Sequence, residues 1–120
     1  MAEEMEAASA GEARMRGFIT VMGNPVLSAP NGERLAAAMD ELEFMVSLDI
    51  YLNETTRHAD LILPSTVQME HENYDFLFET TTVRNFARWS PAVFEPEADQ
   101  RDHWRILLEL GARIAGAPWE

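Results

Sequence analysis

The sequence predicts an α/β fold built on a parallel β-sheet. Three observations lead to this prediction. Short apolar runs lie at 17–22, 44–48 and 61–63, a helical stripe lies between the first two, and each run ends at a glycine, aspartate or proline. Strands that follow one another through a helix pair in parallel, with a right-handed crossover connection.

The segment 1–16 is predicted to be helical or flexible and to be separate from the domain at 17–120. It is rich in Ala, Glu, Met and Arg, which favour helices, and its acidic residues precede Arg14 and Arg16, as the helix dipole prefers. Gly11 interrupts the pattern, and most of the apolar positions are alanine. Such a segment has little apolar surface with which to anchor itself.

The first apolar run, at 17–22, is typical of a strand buried on both faces. It ends at Gly23-Asn24-Pro25. The following segment, 33–42, places Leu35, Met39 and Leu42 along one side of a helix. We expect this stripe to pack on the sheet.

The second and third runs, 44–48 and 61–63, are predicted strands that end at Asp49 and Pro64, with a single helical turn between them. Residues 80–83 are a candidate fourth strand. Residues 99–115 are the clearest helix, with acidic residues at its start, Arg113 near its end and Gly116 as a stop signal.

Composition excludes several classes of function. The 120 residues include 9 basic and 21 acidic side chains, a net charge of −12, which disfavours binding to nucleic acid or to an anionic membrane. The chain has no cysteine and no lysine, so it cannot itself hold an iron–sulfur cluster, a thiolate nucleophile or a P-loop lysine. No apolar run is long enough to span a bilayer, and a cytoplasmic protein is the expectation.

The strand ends are the candidate binding site, because ligands of open parallel sheets bind beyond the carboxyl ends of the strands. Gly23 permits close approach of a ligand, and Asn24 offers an amide. The carboxylate of Asp49 is suited to accept donors from a guanine edge or a ribose diol, while Ser65 and Thr66 add hydroxyls. The alternative is that Asn24 and Ser65 cap turns and that Asp49 caps the turn at 52–55.

Three motifs give this chain a family resemblance. They are Gly-Asn-Pro-Val-Leu-Ser at 23–28, Asp-Ile-Tyr-Leu-Asn-Glu-Thr at 49–55 and His-Ala-Asp-Leu-Ile-Leu-Pro at 58–64. In this order and spacing they resemble the molybdopterin-dependent oxidoreductases of the formate dehydrogenase, nitrate reductase and dimethyl sulfoxide reductase type. The resemblance continues through Glu70, 83–85 and the helix at 102–114, so it covers nearly all of the chain after Gly17.

The resemblance implies a partial, three-layer Rossmann-like domain that contacts the guanosine part of a molybdopterin guanine dinucleotide, with molybdenum or tungsten held elsewhere in a larger parent enzyme. The cofactor-binding residues that it implies are Gly23, Asn24, Pro25, Asp49, Thr55 and Asp60. Asp60 also has a structural interpretation, since a carboxylate at the start of a buried strand can cap the preceding turn. The resemblance places the metal ligand and any iron–sulfur cluster outside this chain, which we expect to be inactive alone.

Other patterns lead to further expectations. His58, His71 and His103 are predicted not to form a metal site, because Glu-His-Glu at 70–72 cannot aim three side chains at one ion. The expected partners are the remaining domains of the parent, and the apolar run at 76–78 favours weak self-association. The alternative function is a stand-alone flavodoxin-like or receiver-like interaction domain. A nicotinamide-binding domain is disfavoured, because the six glycines never form its glycine-rich spacing.

Overall fold

The computed structural model describes residues 1–6, 15–75, 77 and 79–119, and of Thr80 only the backbone. Its contacts divide the chain into two compact units, Met1–Pro64 and Ser65–Glu120. Part of the predicted N-terminal helix and the aromatic residues Phe76 and Phe78 lie outside the described residues. Within the described residues, no helix is long and apolar enough to cross a membrane.

The first unit contains the predicted parallel sheet. Its elements are α1 (Ala2–Glu6), β1 (Gly17–Val21), α2 (Pro25–Ser28), α3 (Gly32–Asp40), β2 (Phe44–Asp49), a 3₁₀ turn (Thr56–His58) and β3 (Leu61–Pro64). The sheet order is β1-β2-β3, and both pairs of neighbours are parallel. The predicted α/β class is confirmed.

Helix α3 packs on one face of this sheet, as its apolar stripe predicts. Leu35, Ala38 and Met39 are buried against Met45 of β2, and Leu42 lies beside them. Met5 of α1 is also in this cluster, with only 1% of its surface exposed. The expectation that the N-terminal segment has little to anchor it was therefore wrong for residues 2–6, because one methionine fills the core where alanines could not.

Strand β1 differs from the prediction that it is buried on both faces. Thr20 is buried and its hydroxyl forms a 2.7 Å hydrogen bond with that of Ser47. Ile19 and Val21, on the opposite face, remain 44% and 39% exposed. The apolar run identifies a strand correctly, but α3 covers only the face that carries Phe18 and Met45.

The second unit combines a short antiparallel ribbon with a helix. Strands β4 (Asn73–Asp75) and β5 (Arg88–Ser90) pair in antiparallel fashion, and neither was predicted. The predicted strand at 80–83 is wrong, because Glu79–Thr81 forms a 3₁₀ turn and the Thr82 hydroxyl donates 2.7 Å to the carbonyl oxygen of Glu79. That local bond holds the chain in a turn.

The C-terminal helix α4 spans His103–Ala115, four residues shorter at its start than predicted. Asp102 has extended rather than helical angles, so the helix cannot begin before His103. At the other end, Gly116 adopts a left-handed conformation with φ 65°, and the amide of Ala117 donates 2.9 Å to the carbonyl oxygen of Ala112. This is the glycine stop that the sequence predicts.

Candidate functional site

The loops that follow β1 and β2 meet at the carboxyl end of the sheet. The amide of Met22 donates 2.8 Å to the carbonyl oxygen of Leu48, which holds the two strand ends side by side. Between the loops is an open cleft of about 220 Å³. The residues that line it are Met22, Gly23, Asn24, Asp49, Ile50, Tyr51 and Asn53.

Met22 is a cleft residue that the sequence prediction missed. Its φ of 49° is in the left-handed region, which residues other than glycine seldom adopt. Such conformations occur where the chain must turn sharply, often near a binding site. The sequence did not indicate a role for Met22, because a methionine at the end of an apolar run looks like one more residue of the strand.

Gly23, the next residue, has free space where a side chain would be. A Cβ atom built on it would meet only the carbonyl oxygen of Val21, at the ordinary contact distance of 3.7 Å. The chain itself therefore does not require glycine here. The amides of Gly23 and Asn24 have no hydrogen-bond acceptor within the part of the chain that the structure describes. They are available to an acceptor group of a ligand.

Asn24 and Thr55 connect the two loops. The Thr55 hydroxyl donates to Asn24 Oδ1 at 2.7 Å and accepts the amide of Val26 at 3.0 Å. Asn24 Nδ2 donates to Glu54 Oε2 at 2.6 Å, and this bond lowers the pKa of the Glu54 carboxyl. Pro25 follows directly as the first residue of α2. The structure thus brings Gly23, Asn24, Pro25 and Thr55 together.

Asp49 lies on the other side of the cleft and is 7% exposed. Its Oδ1 accepts the amides of Ile50 and Tyr51 at 2.8 and 3.1 Å, and its Oδ2 accepts Asn53 Nδ2 at 3.3 Å. These are the bonds of a turn cap, at 50–51 rather than at the predicted 52–55. A carboxylate has about four acceptor positions. One acceptor position of Asp49 therefore remains free for a ligand, and a ligand could also replace Asn53 at the long 3.3 Å bond.

Asp60 lies at the opposite end of the sheet. Its Oδ2 accepts the amide of Met45 at 2.7 Å, and its own amide donates 2.9 Å to the carbonyl oxygen of Met45. Met45 precedes Asp49 by four residues of β2, a distance of about 13 Å along a strand. The structure therefore does not bring Asp60 to the cleft, and its contacts are those of the structural interpretation.

The third strand end contributes less to the site than its sequence suggests. Pro64 pairs in register with Asp49, but Ser65 and Thr66 belong to the second unit and are 0% and 2% exposed. The hydroxyl of Thr66 donates 2.7 Å to Asp102 Oδ1. Neither hydroxyl lines the cleft.

Each of the three histidines contacts another side chain, although the buried Nδ1 of His103 has no hydrogen-bond partner among the described residues. Nδ1 of His58 lies 2.6 Å from Asp40 Oδ1, and the rings of His71 and His103 are edge to face with centroids 6.1 Å apart. Among the described residues, no group of three or more potential ligands could hold a metal ion.

The sequence model of one protein family, described as molybdopterin oxidoreductase, matches residues 3–113. This chain belongs to the molybdopterin oxidoreductase family. The match extends over both compact units and over the cleft loops. Membership implies a molybdopterin cofactor with molybdenum or tungsten. The family match also favours an oxidoreductase segment over the flavodoxin-like or receiver-like alternative.

Curated relatives agree with this assignment. The chain is 28% identical over 113 residues to the assimilatory nitrate reductase catalytic subunit of Bacillus subtilis. This match covers 93% of this chain and 15% of the relative. It is 35% identical over 95 residues to formate dehydrogenase H of Escherichia coli, covering 78% of this chain and 13% of the relative. The NADPH-Fe(3+) oxidoreductase subunit alpha of Geobacter sulfurreducens is 33% identical over 93 residues, 78% of this chain and 10% of the relative. The chain thus spans a small part of the relatives that it matches.

Proposed function

We propose that the cleft between the β1 and β2 loops binds the guanosine part of a molybdopterin guanine dinucleotide, as one wall of a larger cofactor site. The observation that supports this most directly is the arrangement of the cleft. Gly23 and Asn24, from the loop after β1, line this cleft together with the buried Asp49 at the end of β2, at the carboxyl end of a parallel sheet.

These groups fit the polarity of a guanine nucleotide. The N1 and N2 groups of guanine are hydrogen-bond donors, and a carboxylate accepts them. Asp49 receives one such donor as it stands, and a second if the 3.3 Å bond from Asn53 is displaced. The two amides suit acceptor oxygens of the ligand. Tyr51, which is 71% exposed beside Asp49, offers an aromatic face to a base.

Within this proposal the chain binds and orients but does not react. The cofactor, when bound in the parent oxidoreductase, supplies the redox chemistry through its metal. The metal ligand, any iron–sulfur cluster and the substrate site belong to the remaining domains, which are the chain's partners. The described residues would contribute hydrogen bonds from loops that the side chains of Asp49 and Thr55 hold in place.

The test is a titration of the chain with guanosine diphosphate, NAD and FMN, followed by backbone amide chemical shifts. We expect millimolar guanosine diphosphate to shift the amide signals of Gly23, Asn24, Val26 and residues 49–55, and NAD and FMN to leave them unchanged. Weak affinity is expected, because the missing domains supply the other contacts. No shift with the guanine nucleotide, or tight FMN binding, would contradict the proposal.

Two aspartates provide a matched pair of variants. Asp49→Asn keeps the size of the side chain but removes the charge that attracts guanine donors, and we expect guanosine diphosphate to bind about tenfold more weakly. Asp60→Asn makes the same change at the other end of the sheet. We expect it to lower stability without changing the affinity. Equal effects on affinity would show that the cleft has been wrongly identified.

A further inference from the structure

We infer that Thr55 and Glu54 are positioning residues that hold the loop at 23–26 in its binding conformation before the ligand arrives, and that Asn24 supports this loop instead of reading the ligand. The effect of these residues on ligand binding rests on the proposed function. Their effect on the conformation of the loop is inferred from hydrogen bonds within the chain alone.

Thr55 is fully buried, and both hydrogen bonds of its hydroxyl are made to the neighbouring loop. It accepts the amide of Val26 at 3.0 Å and donates its one proton to Asn24 Oδ1 at 2.7 Å. Two bonds from one buried side chain cross a sequence separation of about thirty residues. Removing the hydroxyl takes away the partner of a part-buried amide and of a part-buried side-chain oxygen, which costs stability.

Glu54 determines which way the amide of Asn24 faces. A carboxylate can only accept, so the group that lies 2.6 Å from Glu54 Oε2 must be the NH₂ of Asn24. The oxygen of the amide then faces Thr55, whose hydroxyl donates to it. The reversed amide would place two acceptors against each other at Glu54.

Each polar atom of the Asn24 side chain therefore has a partner within the chain, which leaves one N–H of Nδ2 and one lone pair of Oδ1. The backbone carbonyl oxygen of Asn24 is occupied too, because it accepts the amides of Leu27 and Ser28 and the hydroxyl of Ser28. The backbone N–H groups of Gly23 and Asn24, by contrast, have no acceptor among the described residues. Asn24 thus matters for the shape of the loop, and a substitution there changes binding indirectly.

Hydrogen exchange of the Val26 amide, measured without nucleotide, tests the structural part. In Thr55→Val, which keeps the side-chain shape, we expect the Val26 amide to exchange about tenfold faster. Thr55→Ser restores the hydroxyl and should restore most of the protection. Thr56→Val is the matched control, since Thr56 is equally buried but its hydroxyl bonds, among the described residues, to the backbone of Asn53 and Tyr51 and not to the loop at 23–26. Unchanged exchange in Thr55→Val would overturn the inference.

A double-mutant cycle tests the consequence for binding. If Asn24 acts through the loop, Asn24→Ala, Thr55→Val and the double variant should weaken guanosine diphosphate binding by similar factors. If Asn24 contacts the nucleotide independently, the factors for the two single variants multiply in the double variant, and the inference is wrong. Failure of the nucleotide to bind the unaltered chain would contradict the proposed function, while the exchange experiment would still decide whether the loop is held by Thr55.

Discussion

At the residue scale, position decides what an acidic side chain does. Asp49 and Asp60 both flank strands, and both accept backbone amides. Asp49 is the last residue of β2 and caps a loop at the carboxyl end of the sheet, whereas Asp60 precedes β3 and accepts an amide near the start of β2. Only the first position meets the cleft, so only Asp49 retains a binding role in our proposal.

Glu79 is a third acidic residue with an unusual environment, and it predicts a pH dependence of stability. It is 5% exposed, and its Oε2 has no hydrogen-bond partner among the described residues. Burial, followed by the charge of Asp75, raises the pKa of Glu79, and Arg88 opposes this only in part. The folded state therefore holds this proton to higher pH than the unfolded state does.

It follows that ionisation of Glu79 costs stability as the pH rises from about 4.5 through the raised pKa. We expect Glu79→Gln to unfold at a higher denaturant concentration than the unaltered chain at pH 7, and the difference to disappear as the pH falls below about 4. Glu72→Gln, at an exposed position of the same unit, is the control and should show little effect at either pH. A Glu79→Gln variant that is less stable at pH 7 would contradict the prediction.

At the element scale, close packing between α2 and α3 depends on one glycine. Gly32 is the first residue of α3, and a Cβ atom there would lie 1.9 Å from the backbone carbonyl oxygen of Val26. The atom in the way is backbone, so a larger residue must displace the loop that leads into the cleft. Asn31, just before it, already adopts a left-handed conformation with φ 60° to make this turn.

We therefore expect Gly32→Ala to lower the free energy of unfolding by about 1–3 kcal/mol, because the added methyl group overpacks the turn. Gly111→Ala on α4 is the matched control. No atom lies within 4 Å of a Cβ built at Gly111, and alanine is favoured over glycine inside a helix, so that variant should be stabilised by about 1 kcal/mol. Denaturant unfolding of the two variants measures both effects. Similar destabilisation in both would refute the steric explanation.

The anchoring of α1 by Met5 leads to a second prediction at this scale. Met5→Ala removes a side chain that is 99% buried and leaves a cavity against α3, so we expect a loss of about 2–5 kcal/mol. Met69→Ala removes the same atoms from a side chain that is 58% exposed, and it should cost much less. Thermal or denaturant unfolding distinguishes the two. If α1 only lay on the surface, the two methionines would be equivalent.

At the scale of the whole molecule, one face of the parallel sheet remains apolar and partly open. Strand register places Ile19, Val21, Phe44 and Leu61 on this face, opposite to α3, and each is between 39% and 52% exposed. An apolar surface of this kind favours association. The net charge of −12 opposes it, because like charges repel at low ionic strength.

We accordingly predict weak self-association of the chain that increases with salt. The expected result is a sedimentation coefficient that rises with protein concentration, and rises more at high ionic strength. Replacing Ile19 and Phe44 by threonine, which keeps strand propensity, should reduce the association. Val83→Thr, at a fully exposed position of the second unit, should leave it unchanged. A strict monomer at all concentrations would contradict the prediction.

Several features of the first unit could be predicted from local pattern. The apolar runs located β1, β2 and β3, the spacing of Leu35, Met39 and Leu42 located α3, and Gly116 located the end of α4. The second unit was predicted less well. Strands β4 and β5 are three residues each and pair antiparallel across an irregular segment, so no periodic pattern marks them.

For this protein the sequence by itself determined the parallel α/β sheet, the family and the two loops that form the cleft, because apolar period, turn residues and motif order are local properties of the chain. The tertiary structure alone decided which end of the sheet each polar residue occupies, and which side-chain atoms are already bonded. That is why Asp49 and Asp60 differ, why Asn24 and Thr55 bond to each other, and why Met22 is in the cleft. These properties depend on distances between residues far apart in the chain, which no local pattern encodes.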